Sequence, residues 1–145
     1  MVTRFAYPVE LTADVEGGFI VRVPDLPEIV TQGDDRREAL AAAGDAIDEA
    51  LAGRIHLGEN IPEPSPAKGR PLVAASGIMT AKAALSTALH EAGVSQVELA
   101  RRLEVDDKEA RRLLDPRHPS KLPRLEQALA ALGKRLDVRV VDRVA

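Results

Sequence analysis

The sequence predicts an α+β protein with a strand-rich first unit and an all-helical second unit, and three observations carry that reading. Apolar and polar residues alternate between Phe5 and Val23, the period of strands with one buried face. Three capping pairs, Asp35/Glu38, Ser95/Glu98 and Asp106/Glu109, each open a stretch with a helical apolar period. Between them NIPEPSPAKGRP, residues 60–71, gathers Pro62, Pro64, Pro66 and Pro71 with no hydrophobic period, which suits an extended connector and not a helix interior. The units implied are residues 1–75 and 76–145.

In the first unit Phe5, Tyr7, Val9 and Leu11 form the buried side of a strand, and Pro8, which lacks an N–H, places it at an edge or a bulge. After a turn at Glu16-Gly17-Gly18, Phe19, Val21 and Val23 alternate again and complete a hairpin that stops at Pro24-Asp25-Leu26-Pro27. A short third strand is expected over Glu28–Thr31. Leu40, Ala43, Ile47, Ala50 and Leu51 then lay an apolar stripe on a helix expected to end near Gly53, and Pro71–Ala74 gives a last short strand. The order is βββαβ. One helix covers one face of the sheet, and a binding partner is a candidate cover for the other.

In the second unit Thr80 is the expected N-cap of a helix that Gly93 stops. From Gln96, apolar residues fall at Leu99, Ala100, Leu103, Val105, Ala110 and Leu113, the spacing of a helix-turn-helix in which two small alanines let helices cross closely. The turn position often taken by glycine is Glu104. Ser120 is expected to cap a last helix whose Leu122, Leu125, Leu129 and Leu132 pack inward before Gly133. Leu136, Val138 and Val140 alternate beyond it. That strand has no partner in a helical unit, so it is expected to pair with its copy in a second chain about a two-fold axis; a return to the first sheet or a frayed terminus are the alternatives.

Charge separates the two units as well. Residues 1–75 hold 7 Lys+Arg against 13 Asp+Glu, a balance of −6, whereas residues 76–145 hold 13 against 10, a balance of +3. One surface therefore suits a cationic partner and the other a nucleic acid, which the net charge of −3 conceals. There is no cysteine, so disulfides and thiolate metal sites are excluded. The N-terminus lacks a cationic start followed by an apolar core, and no run of about 18 apolar residues occurs, so a cytoplasmic protein without a membrane span is expected.

The outward face of the second helix of the pair holds Asp107, Lys108, Arg111 and Arg112, with Gln96 opening the first. The loop after it, Asp115-Pro-Arg-His-Pro-Ser-Lys121, adds Arg117, His118, Ser120 and Lys121 as phosphate contacts. A helical hairpin with a solvated basic face has the same spacing. The adjoining basic loop favours DNA.

The run VEGGFIVRVPDLPEIVTQGDDRREALAAAGDAIDEAL, with its strand into a Pro-Asp-Leu-Pro turn, Gly-Asp pair and Ala-rich helix, resembles the HicB antitoxin family. The run from Thr80 to Val138, with LARRL, RRLLDPRH, SKL and ALGKRL, is similar to the Xre/Cro-type helix-turn-helix attached to many members. Glu28 departs from the small residue that often follows the turn. The resemblance implies a type II toxin–antitoxin system in which HicB binds a small basic RNA-cleaving toxin, HicA, and represses the shared operon. It also implies a first unit similar to a degenerate ribonuclease H core. Glu10, Asp14, Glu16, Asp25 and Glu28 are the acidic candidates to meet the toxin. An operator with inverted-repeat symmetry would match a homodimer or higher homo-oligomer joined through Leu136, Val138 and Val140.

Such an ancestry raises the question of catalysis. Metal-dependent phosphodiester cleavage needs carboxylates converging on two ions about 4 Å apart, and strand alternation and helix phase scatter the acids of this chain. Asp25 is expected to hold its own turn. His56, His90 and His118 lack metal spacing. No catalytic residue, metal or cofactor is proposed. Two other classes remain beside the antitoxin, a stand-alone repressor whose first unit binds a small ligand and a nuclease.

Overall fold

The computed structural model describes residues 4–142, and the first unit begins with one extended run that serves two sheets. Strand β1 (Ala6–Pro8) pairs antiparallel with β5 (Leu72–Ala74), and β2 (Glu10–Ala13) joins β3 (Phe19–Arg22) and β4 (Val30–Gly33) in an antiparallel sheet of order β2-β3-β4. The expected first strand is thus split at Val9. Ala75 N–H donates to Phe5 O and Val9 N–H to Pro71 O, both at 2.9 Å. By ladder alternation Pro8, opposite Leu72, sits at a non-bonded pair where its missing donor costs nothing on that side. The third strand lies two residues later than expected.

Helix α1 (Arg36–Leu57) covers the inner face. Asp35 accepts from Glu38 N–H at 2.8 Å, as the capping pair predicts, while Glu38 returns a bond to Asp34 N–H at 3.1 Å. Ala39, Ala43, Ile47, Ala50 and Leu51 are buried against Phe5, Tyr7, Val9, Val21, Val23, Leu26 and Ile29; Leu40 is only half-buried. The helix does not stop at Gly53. It continues to Gly58, which takes the left-handed conformation, because Ile55 still packs on the core and Arg54 clasps Glu28 through two bonds of 2.8 and 2.9 Å. Gly33 marks where β4 passes under the first turn of α1: a Cβ there would collide with the backbone N and Cα of Ala39. Neither backbone can yield cheaply, so Gly33→Ala is expected to destabilise the chain by about 3 kcal/mol, read as a lowered urea midpoint.

The proline-rich connector is extended, as expected, but fastened along its length. Tyr7 Oη donates to Pro62 O at 2.9 Å, Arg54 Nη1 to Asn60 O at 3.0 Å, and Ser65 N–H to Asp25 Oδ2 at 2.8 Å. Asp25 therefore holds the connector, 40 residues away, and not its own turn. Burial, helped by the charge of Asp25, pushes the Tyr7 phenol up to about 12 from 10.0, against a lowering by Arg54. An acid whose pKa rises on folding keeps its proton after the unfolded chain has lost it. Stability is therefore full below pH 10 and falls as pH rises from 10 toward about 12, and Tyr7→Phe should flatten that fall in a pH series of denaturation midpoints.

Helix α2 (Gly77–Ala92) belongs to both cores. It starts at an N-cap Ser76, not at Thr80, because Met79 buries into the first core and draws the preceding turn into the helix. Met79 and Ala83 complete that core, while Ala81, Leu85 and Leu89 form the second with Leu99, Leu113, Leu125, Ala128 and Leu129. Helices α3 (Gln96–Leu103), α4 (Asp107–Leu114) and α5 (Leu122–Ala130) supply the rest. Ser95 and Asp106 cap as expected, accepting from Glu98 N–H at 3.1 Å and Glu109 N–H at 2.7 Å. Glu104 takes the left-handed turn position with φ 56°, which a glycine would occupy without strain.

Two expectations for the end of the chain need correction. Helix α5 is opened by Lys121 without a side-chain cap, since Ser120 is turned inward, and Leu122 lies at the surface. No strand forms over residues 136–142 within the single chain. Leu136 instead packs on the second core, while Val138 and Val140 stay exposed, at 68 % and 99 %.

Candidate functional site

Helix α4 and the loop that follows it carry five exposed cations. Lys108, Arg111, Arg112, Arg117 and Lys121 are all exposed, and none of them joins an ion pair among the described residues. The neighbouring cations behave differently. Arg101 and Arg102 both bind Glu98, at 2.6 and 3.2 Å, and Arg124 meets Glu109 at 3.5 Å. Hydrogen bonds from Arg101 and then Arg102 hold the Glu98 carboxyl down to about 2. Cations that are paired internally are poor phosphate ligands, whereas the five on α4 and its loop are available. Asp107 is exposed at the start of α4, and Gln96 is half-buried at the start of α3.

Ser120 is not exposed with these cations. It is buried, its Oγ donates to Arg112 O at 3.3 Å and lies 3.2 Å from His118 Nδ1, so it braces the loop from within. Arg117 N–H donates to Asp115 Oδ1 at 2.9 Å, a local turn that leaves the Arg117 side chain outward.

Sequence reasoning missed Lys82. It is 0 % exposed, and its Nζ donates to three main-chain carbonyls, Arg112 O at 3.2 Å, His118 O at 2.7 Å and Asp115 O. Burial lowers its pKa, and the charge of Asp115 opposes that shift. The available signal was phase: Lys82 falls on the inward side of α2, between Met79 and Ser86, both buried.

The five acidic candidates of the first unit are not gathered in one place. Glu10 meets Arg70 at 3.4 Å, Asp14 receives Glu16 N–H at 3.4 Å within the hairpin turn, and Asp25 and Glu28 hold Ser65 and Arg54. Asp14 and Glu16 stand at one end of β3, Asp25 and Glu28 beyond the other. The Arg54 hydrogen bond keeps the Glu28 carboxyl below its ordinary range. What lies open is the outer face of the β2-β3-β4 sheet, where Glu10, Arg22 and Val30 stand in one cross-strand row and Thr12, Ile20 and Gln32 in the next. Helix α1 covers only the opposite face, and Val30 is 57 % exposed. Among the described residues no three histidine or carboxylate side chains converge as a metal site, and no helix is long and apolar enough to cross a membrane.

A cavity of about 430 Å³ lies between β1, β5, α2 and the C-terminal segment, with Phe5, Ala84, Ala88 and Leu136 in its walls and Arg4 and Lys134 among its charges. Thr87, also in its wall, has a buried Oγ1 without a hydrogen-bond partner.

Comparison with known proteins gives a consistent result. Residues 6–90, which run from β1 nearly to the end of α2, match the family model described as the HicB-like antitoxin of bacterial toxin–antitoxin systems. Antitoxin HicB of Escherichia coli is 37 % identical over 141 residues, covering 93 % of this chain and 99 % of that protein. Antitoxin HicB 1 of Photorhabdus laumondii subsp. laumondii is 34 % identical over 140 residues, covering 97 % and 90 %. Antitoxin HicB of Pseudomonas fluorescens is 34 % identical over 134 residues, covering 91 % of each.

Proposed function

The chain belongs to the HicB-like antitoxin family of bacterial toxin–antitoxin systems, and from that premise we propose that it neutralises a small basic RNA-cleaving toxin of the HicA kind and represses its own operon. In this reading α3 and α4 are a helix-turn-helix, with α4 in the major groove and the loop from Asp115 to Lys121 on phosphates. The observation that carries it is the contrast between five exposed unpaired cations on α4 and its loop and the paired cations beside them. The first unit, read as a degenerate ribonuclease H core without catalysis, would meet the toxin through its uncovered sheet face, with the −6 balance of residues 1–75 steering a cationic partner inward.

Because Met79 and Ala83 complete the first core, the fragment that tests toxin binding is residues 1–92, through the end of α2, and not residues 1–75. That fragment is expected to stop RNA cleavage by the basic toxin encoded beside it, with the complex visible by native mass measurement. Residues 76–145, which keep α2 for the second core, should have no effect. Inhibition by the helical fragment alone, or failure of a folded 1–92 fragment to inhibit, would refute this division of labour.

A second reading, a ligand-responsive repressor, draws on the cavity and the unpartnered Thr87 hydroxyl. It is favoured if no frame for a basic protein adjoins the gene and a small molecule releases the protein from DNA.

A further inference from the structure

Building on the DNA-binding reading above, we infer that Lys82 is a positioning residue for operator recognition, setting the loop that presents Arg117 and Lys121 to phosphates without itself touching DNA. An ammonium has three N–H donors, and here each has one carbonyl, from Arg112 in the last turn of α4, from its C-cap Asp115, and from His118 in the loop. A helix C-terminus carries partial negative charge, so a cation at this place stabilises the end of α4 as well.

The bonds of Ser120 and of Arg117 N–H brace the loop against itself and the end of α4, whereas Lys82 ties it to α2. Pro116 and Pro119 offer no N–H, and its inner bonds run from His118 N–H to Asp115 O at 3.1 Å and from Ser120 N–H to His118 O at 2.8 Å. Two of the three carbonyls on Lys82 are the acceptors of those same bonds, so the ammonium ties both to α2. Arg117 and Lys121, on either side of His118, point outward from this anchored frame. A residue without the ammonium at position 82 would leave each of the three carbonyls with only its bonds inside α4 and the loop, and would remove the tie from the loop to α2.

The test uses the full-length chain on operator DNA over a salt series. Lys82→Met fills the space of the stem and is expected to weaken operator binding by about ten- to a hundredfold and to lower the salt slope, since each lost phosphate contact removes about 0.9 from it. A double-mutant cycle separates positioning from general loss of stability. If Lys82 acts through the loop cations, Arg117→Ala with Lys121→Ala should cost far less in the Lys82→Met background than in the parent. Should Lys82→Met not fold, Lys82→Gln, which keeps a donor, carries the same cycle. Additive effects, or operator binding within twofold of the parent at an unchanged slope, would overturn the assignment. The DNA reading fails separately, and takes this inference with it, if the parent ignores replacement of Lys108, Arg111 and Arg112.

Discussion

Replacing Lys108, Arg111 and Arg112 together by alanine is expected to weaken operator binding about a thousandfold while toxin neutralisation persists. Each base contact of this kind contributes about 1–3 kcal/mol, so three lost together exceed about a hundredfold at the low end and reach about a thousandfold at roughly 1.4 kcal/mol each. The fold should survive. All three side chains are exposed and unpaired, alanine favours helix, and the cap bonds at the end of α4 use the main-chain carbonyls of Arg111 and Arg112, not their guanidinium groups. Lys121→Ala should behave differently, weakening all DNA sequences alike and reducing the salt slope by about 1. Footprints unchanged by the triple replacement would show that α4 is not the reading helix.

Removing residues 137–145 is expected to convert a dimer to a monomer in light scattering and to lower operator affinity by about a hundredfold or more, because a single half-site contact then replaces two joined ones. The cut is placed after Leu136, and not before it, since Leu136 packs on the second core and its loss would confuse folding with assembly. Val138, Val140 and Val141 are exposed, an apolar run with open backbone that pairing with a second copy would cover. Toxin neutralisation should be retained. A shortened chain that stays dimeric and binds its operator normally would exclude this interface.

The two predictions draw on different depths of the sequence. The exposed side chains Lys108, Arg111 and Arg112 were legible because α4 is set by local rules: a cap at Asp106, small Ala110 and large Leu113 facing inward, and the remaining side chains turned out by helix phase. The segment from Leu136 to Val140 was legible only as an apolar alternation. In the single chain Leu136 packs on the second core.

Through interactions that close within a few residues, the sequence alone determined the helix starts at Asp35, Ser95 and Asp106, the glycine turn at Gly17-Gly18, the extended connector and the burial of Tyr7, Val21, Ile47 and Leu99. Only the tertiary structure decided the split of the first strand at Val9, the start of α2 at Ser76, the Arg54–Glu28 clasp across 26 residues, the inward turn of Ser120 and the place of Lys82. The reason is physical. A capping bond is chosen by residues three apart, whereas a buried polar side chain takes whichever distant carbonyl or carboxylate the packed cores bring within about 3 Å, and that distance exists only once both cores have closed.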